Sequence, residues 1–357
     1  MVSRALRASG ARETLIHTGQ HYDETMSEVF FRNLDMTSPS VNLGIGSGTH
    51  GVQTGRMLEQ IEAVLLANRP ALLIVYGDTN STLAGALAAV KLRIPIAHVE
   101  AGLRTFDKSV PEEINRVLTD HSSDVLFAPT HRAFANLRAE GIPESAIHVV
   151  GDVMFDAALS YGAKAERESR ILDDLHLPCG AFVLATMHRA ENTDNRERLE
   201  SVFLGLARVA ESIPVVLPLH PRTKRALLDN GLVARVSQAI RLIPPVGYLD
   251  MIMLEKNALL IVTDSGGVQK EAFFHGVPCV TLRSQTEWLE LVELGWNRVT
   301  SPTSPSRVAE SILDALAWRP PACANPFGHG NSAQLIARVV MDSAKVARTR
   351  ALVSAGA

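Results

Sequence analysis

The chain is poor in cysteine, in aromatics and in charge of one sign. Its three cysteines, Cys179, Cys279 and Cys323, are scattered over 357 residues. So sparse and odd a count excludes a disulfide framework and a paired-thiolate zinc site, and it suits a reducing compartment. Formal net charge is only −3. Without a basic surplus, neither nucleic acid nor an anionic lipid surface is an expected partner. Apolar runs such as Ala71-Leu72-Leu73-Ile74-Val75 fall far short of the ~20 residues that a bilayer crossing needs. The opening Met1-Val2-Ser3-Arg4-Ala5-Leu6-Arg7 holds no apolar core of signal-peptide length. The expectation is a cytoplasmic chain with no membrane segment. What is present is ordinary for a globular protein, with 46% hydrophobic and 20% charged residues, which excludes a disordered or fibrous chain. At ~150 residues per domain, the length suggests two domains.

No internal repeat or low-complexity tract interrupts the chain. Short aliphatic runs alternate with longer amphipathic stretches. Strands are predicted over 14–17, 72–76, 94–99, 125–128 and 147–150, then over 182–186, 215–217, 240–243, 259–262 and 279–282. Several are apolar at nearly every position, as strands covered on both faces must be. Helical spacing fills the gaps, for instance over 81–91 and 113–120. This alternation predicts an α/β fold with parallel, doubly wound sheets, and its two series predict two Rossmann-like halves. The segment 152–169 reads equally as a linker or a helix. Residues 1–10 read as a helix, an unusual opening for a doubly wound domain.

Ligands of open α/β sheets bind at the carboxyl ends of the strands. The first run ending at Tyr76 is followed by Gly77-Asp78-Thr79-Asn80, and the next by Glu100-Ala101-Gly102. In the second series, Thr186 is followed by Met187-His188-Arg189, and Val262 by Thr263-Asp264-Ser265-Gly266-Gly267. Taken singly, Asp78 is as well explained as a helix cap, and His188 is better explained as a structural histidine. Glu100 has no capping geometry to explain it. The Asp264-Ser265-Gly266-Gly267 turn suits an anion, because glycines let backbone N–H groups approach a phosphate; a plain N-cap is its bland reading. If the halves face one another across a cleft, all four groups converge.

Two further clusters stand at similar edges. In Pro111-Glu112-Glu113-Ile114-Asn115-Arg116 the acids suit a solvated helix start, but the preceding loop could fold Glu112 towards Glu100. Arg283 and Glu287 follow another strand end, where an arginine and a carboxylate could hold phosphate and ribose hydroxyls. No histidine pair or acidic box suits a metal, and no glycine fingerprint suits NAD. Gly44-Ile45-Gly46-Ser47-Gly48 reads as a loop. No cofactor is expected.

These residues together closely resemble the non-hydrolysing UDP-N-acetylglucosamine 2-epimerases. Tyr76-Gly77-Asp78-Thr79, His98-Val99-Glu100-Ala101-Gly102-Leu103-Arg104, Pro111–Arg116, Thr263–Gln269 and Asn325-Pro326-Phe327-Gly328 carry the resemblance in the family's order, from about His17 to the C-terminus. It implies a GT-B-like architecture: an N-terminal Rossmann-like domain over 1–155, a UDP-binding Rossmann-like domain over 156–332, and a final helix within 333–357 crossing back to the first. It implies a homodimer and a role in cell-surface polysaccharide biosynthesis. The implied reaction interconverts UDP-GlcNAc and UDP-ManNAc. The C2 proton and UDP are eliminated to a 2-acetamidoglucal, then a proton and UDP re-add with inversion at C2. By position, Asp78, Glu100, Glu112 and His188 match the catalytic residues, with His188 near the diphosphate. Ser265, Gly266, Gly267 and Glu271 match UDP-binding residues; Arg104, Arg283 and Glu287 are further candidates for the substrate. Gln20, Arg56 and His220 fall where some relatives bind a regulatory UDP-sugar.

The chain departs from the family pattern twice. The family opens with a strand and an Arg/Lys loop ahead of the first helix, whereas Met1 falls inside that helix. The expectation is an incomplete start or a shortened chain with weakened diphosphate binding, since two cations beside a diphosphate outweigh the half charge of a helix end. Trp288 also replaces an arginine found in many members. Together with the region around His17, Thr286-Glu287-Trp288 resembles relatives acting on UDP-2,3-diacetamido-glucuronate, whose carboxylate Arg104, Lys108 or Arg283 could neutralise. A GT-B glycosyltransferase, a hydrolysing epimerase and a catalytically impaired UDP-sugar-binding homologue are the competing readings.

Overall fold

A computed structural model describes residues 1–19 and 38–355, with side chains described as far as residue 345. The chain divides into two compact units. Unit 1 comprises Met1–Ala157 and Asn325–Ala357, and unit 2 comprises Ala158–Ala324.

Unit 1 holds β1 (Ile16–His17), β2 (Val41–Asn42), β3 (Leu73–Tyr76), β4 (Ile96–Val99), β5 (Val125–Ala128) and β6 (Ile147–Val149). The last four pair in parallel and in chain order, while β1 and β2 form a separate parallel pair. Side chains alternate across β4 as the pleat demands. Ala97 and Val99 join a cluster with Val2, Leu6 and Phe127, and Ile96 joins one with Met57 and Leu65 on the helix His50–Asn68. The helix Ser332–Ala355 packs in the first of these clusters through Ile336, Ala337 and Val340. The larger of these aliphatic side chains, such as Ile336, contribute about 1.5–3 kcal/mol each when fully buried.

Unit 2 holds β7 (Val183–Thr186), β8 (Val215–Pro218), β9 (Arg241–Ile243), β10 (Leu260–Thr263), β11 (Cys279–Thr281) and β12 (Asn297–Val299). They form one parallel sheet in the order β12-β11-β10-β7-β8-β9. Strand order therefore reverses between β7 and β10, the switch point at which doubly wound sheets open a crevice for ligands. Val183 and Ala185 face a cluster with Phe203 and Leu206, and Leu184 faces the opposite one with Leu254 and Ala272.

Residues 152–169 contain the helix Val153–Glu168. The Gly44–Gly48 segment is a loop, as expected. Strands β2 and β12 were not expected. Each has only two or three residues and carries an asparagine, so neither shows the apolar run on which strand prediction rests.

Candidate active site

In unit 1 the candidate site is built at the ends of β3 and β4. Thr79, not Asp78, is the cap of the helix Asn80–Lys91, sharing reciprocal contacts with Thr82. Asp78 is thereby released from capping. Its carboxylate Oδ2 accepts from Arg116 Nε at 3.0 Å and Nη2 at 2.9 Å. Arg116 Nη1 also donates to Glu113 at 2.7 Å. The Glu113 carboxylate accepts the backbone N–H groups of Thr105 and Phe106. One buried arginine thus ties Asp78, the start of the helix Pro111–Ser122 and the loop after Glu100 together. Glu112, beside Glu113, is half-buried in that first turn.

Glu100 follows β4 with φ +74. A non-glycine residue in the left-handed region costs about 1–3 kcal/mol, and such strain clusters at functional sites. Its carboxylate lies over Gly77: a Cβ placed on Gly77 would sit 3.6 Å from Glu100 Oε2. Two of the expected acid groups are therefore neighbours across adjacent parallel strands. Arg104 is turned inward instead of towards a ligand. It binds Asp120 through Nη1 at 2.7 Å and grips Glu140 with Nε and Nη2 at 2.6 and 2.7 Å; its side chain is 1% exposed. These pairs hold Asp120 and Glu140 below the usual carboxylate range, the main cause at Asp120 being His98, set against its burial, and at Glu140 the arginine itself. Lys108 is exposed on the following loop.

In unit 2 the candidate site is built at the ends of β7 and β10, which are joined by a 2.6 Å contact between Thr186 and Thr263 hydroxyls. Asp264 is fully buried. It accepts from the backbone N–H groups of His188 and Arg189 and from the Asn192 amide, all at 3.1 Å. That carboxylate fixes the turn that carries His188. Burial lowers the His188 pKa; Asp264 opposes this, and Arg189 and Arg222 reinforce it. At neutral pH the imidazole is therefore uncharged. Its ring lies 5.6 Å from that of His220, which caps the helix Pro221–Asp229. Both rings line a cavity of about 150 Å³ with Thr186, Pro218, Pro245 and Met251.

Ser265 precedes the helix Gly266–Phe274, and its hydroxyl makes no capping bond to it. A Cβ on Gly266 would lie 2.3 Å from Glu287 Oε1, so only glycine admits that carboxylate beside the first turn. Glu287 is in turn held by Arg283 Nη1 at 2.8 Å, with Arg189 Nη2 at 3.9 Å. Glu271 lies one turn further along the helix, 7% exposed, and the Tyr248 hydroxyl bonds to it. Trp288 is buried, with the Lys270 ammonium 4.2 Å above its ring. The resulting edge combines helix N–H groups, a neutral histidine and an arginine-held carboxylate, chemistry suited to an anion with hydroxyl groups attached.

Asp78, Glu100 and Glu112 belong to unit 1, and His188, Ser265, Gly266, Gly267, Glu271, Arg283 and Glu287 to unit 2. Arg56 is exposed on the helix His50–Asn68 of unit 1, and His220 lies in unit 2. Gln20 falls outside the described residues. Sequence reasoning missed His98, Glu113, Arg116, Asp120 and Asp264 as structural members of these edges. Only Glu113 and Arg116 left a signal, three residues apart on one helix face.

Parallel sheets in both units, acids at one pair of strand ends and a glycine-opened helix at the other make this an α/β fold of the GT-B type. A solved structure of Methanocaldococcus jannaschii UDP-GlcNAc 2-epimerase in complex with UDP-GlcNAc and UDP superposes with a TM-score of 0.90 and 46% identity, covering 95% of this chain and 94% of that one. A UDP-N-acetylglucosamine 2-epimerase homolog of Methanococcus maripaludis is 51% identical over 92% of this chain and 91% of its own length. The UDP-2,3-diacetamido-2,3-dideoxy-D-glucuronate 2-epimerase of Pseudomonas aeruginosa is 49% identical over 91% and 90%. Residues 4–341 match the family model for UDP-N-acetylglucosamine 2-epimerase. The chain belongs to that family and is, by membership, an isomerase.

Proposed function

We propose that the chain is a non-hydrolysing UDP-N-acetylglucosamine 2-epimerase. The observation that carries this reading is the Glu100 carboxylate lying over Gly77, the residue before Asp78, whose own carboxylate is held by Arg116. Proton removal and return at one carbon need acid and base groups gathered at it. One carboxylate of the set Asp78, Glu100 and Glu112 takes the C2 proton as UDP leaves C1, giving a 2-acetamidoglucal. Another member of the set, protonated, delivers its proton to the opposite face of C2 as UDP re-adds at C1. In unit 2, Ser265, Gly266 and Gly267 receive the departing diphosphate at the helix end. The neutral His188 donates to it, and Glu271 accepts from ribose hydroxyls. Arg283 and Glu287 shape the first turn beside Gly266. Arg104 serves as an internal strut, since its guanidinium is spent on Asp120 and Glu140. The test is incubation with UDP-GlcNAc in deuterated water without an acceptor. Deuterium enters C2 and UDP-ManNAc forms; no exchange would overturn the reading, and free N-acetylmannosamine would make the chain a hydrolysing enzyme.

The buried Trp288, where many members carry arginine, favours a second substrate, UDP-2,3-diacetamido-2,3-dideoxyglucuronate. The same exchange assay on both sugars separates them, the faster being the substrate. A homodimer, a cytoplasmic site of action and supply of cell-surface polysaccharide belong to the same reading through the family resemblance. So does a regulatory UDP-sugar site drawing on Gln20, Arg56 and His220; two separable steps in UDP-sugar titration would support it.

A further inference from the structure

His98 lies on β4, in the apolar stretch ahead of Glu100, and its side chain is 0% exposed. Nδ1 stands 2.7 Å from Asp120 Oδ1, and Nε2 stands 2.8 Å from the Gly77 carbonyl oxygen. A carbonyl oxygen only accepts. The Asp120 carboxylate is held ionised by its other oxygen, which accepts from Arg104 Nη1 at 2.7 Å and from Gly102 N–H at 3.1 Å. Both ring nitrogens therefore face acceptors. A neutral imidazole has a single N–H, so it would press a lone pair against an oxygen at hydrogen-bond distance. The doubly protonated ring donates to both.

Charge counting agrees. His98 and Arg104 as cations balance Asp120 and Glu140 as anions, with half-exposed His121 3.1 Å from the outer face of Glu140. A neutral His98 would leave this cluster with one cation for two anions, Asp120 being fully buried, an unfavourable arrangement in a low-dielectric interior. Asp120, the Gly77 carbonyl and Glu100 all raise the affinity of the ring for its second proton, against its burial.

We propose that His98 is a buried imidazolium that clamps the end of β3 to β4 and so positions the Asp78 and Glu100 carboxylates for proton chemistry. The clamp holds the carbonyl of the residue before Asp78, and Gly77 is the same residue over which Glu100 lies. On β4, His98 stands opposite Val75 of β3. The Gly77 N–H also donates to the carbonyl of Val99, the residue before Glu100, so the Gly77 peptide is tied to the backbone next to each carboxylate. His98 touches no reacting atom and is a positioning residue; its effect on catalysis rests on the epimerase reading above, whereas its charge state does not.

The test has two arms. In wild-type protein carrying nitrogen-15 histidine, the His98 ring signals are assigned by backbone-to-side-chain correlation within the wild-type protein itself. Both ring nitrogens show protonated shifts that persist into mildly alkaline pH. One nitrogen in the unprotonated range at neutral pH would overturn the proposal, and this arm stands even where the variants fail to fold. In the second arm, His98→Asn and His98→Gln each keep at most one grip. The kcat for deuterium exchange at C2 falls about a hundredfold, the scale of a 1 Å misplacement, while UDP affinity is unchanged. A folded variant with wild-type kcat would refute the positioning role. Wild-type protein that shows the imidazolium signature but no exchange at C2 would sink the epimerase reading and leave the charge assignment intact.

Discussion

Both candidate sites stand at the carboxyl ends of parallel strands, at a switch point in unit 2 and between sequential strands in unit 1, and they are supported differently. In unit 1 the interior behind the site is charged. Arg116 links Asp78 to Glu113, and Asp120 joins His98 to Arg104. In unit 2 the Arg283–Glu287 ion pair stands beside the glycine-opened helix, while one pair behind that helix, Glu255 and His275, is pushed towards its uncharged form. Burial, with Glu271 adding to it, pushes Glu255 well above the carboxylate range, and burial with Lys256 lowers His275 to about 4. The two side chains are 3.7 Å apart, and burial favours the uncharged form of each. Asp264 is spent on backbone N–H groups and an asparagine amide. The difference teaches what each task requires. Groups that trade protons must have their charge set by neighbours. A cradle for an anion relies on dipoles that do not titrate.

The comparison breaks first at the carboxylates. Glu100→Gln and Asp78→Asn should each lower the rate of deuterium entry at C2 by about 10²–10⁴-fold, the usual worth of general acid–base groups, with UDP affinity in calorimetry nearly unchanged. Equal losses of affinity would mean that unit 1 binds and does not catalyse. Next, Asp264→Ala should lower the unfolding free energy in urea by about 3 kcal/mol, because several buried donors lose their acceptor at about 1–3 kcal/mol each. UDP affinity should fall with it as the His188 turn loosens.

The buried His275 of unit 2 makes a pH prediction. Between pH 6.5 and about 4 the unfolded chain binds a proton that folded His275 refuses. Its contribution therefore declines as pH falls through that window, by about 3 kcal/mol in total at ~1.4 per pH unit. The stability of wild type minus that of His275→Gln, from urea melts, should decline accordingly; a constant difference would show a charged His275. The smallest effect is expected at Gly266→Ala, where the new methyl displaces the Glu287 carboxylate. UDP should bind about tenfold more weakly, or ~1.4 kcal/mol, with the C2 exchange rate at saturation little altered.

Much of this is legible in the amino-acid sequence. Val125–Ala128 is apolar throughout and is β5 as expected. The residues after such runs, Asp78, Glu100 and His188, stand at strand ends because parallel strands end on one edge. The supporting charges were hidden for a physical reason. His98 sits inside an apolar strand and reads as filler until its partner, 22 residues on, is brought beside it. Arg104 read as a substrate contact because Glu140, 36 residues away, is not a neighbour in the chain. Asp264 reads as part of an anion-binding turn, yet its buried carboxylate accepts from residues about 75 positions earlier. Pairings across such separations depend on packing, which periodicity does not encode.

Gly102 carries a consequence for motion. Its N–H is held by Asp120, its carbonyl by Asn136, and a Cβ there would lie 2.4 Å from the Ala133 carbonyl oxygen. The stretch that leads from Glu100 to the solvent-facing Phe106 is thus rooted in a peptide pinned on three sides. Any swing of that tip must pivot beyond Arg104, and in hydrogen exchange the Gly102 amide should keep its proton long after its neighbours at 107–109 have traded theirs for deuterium.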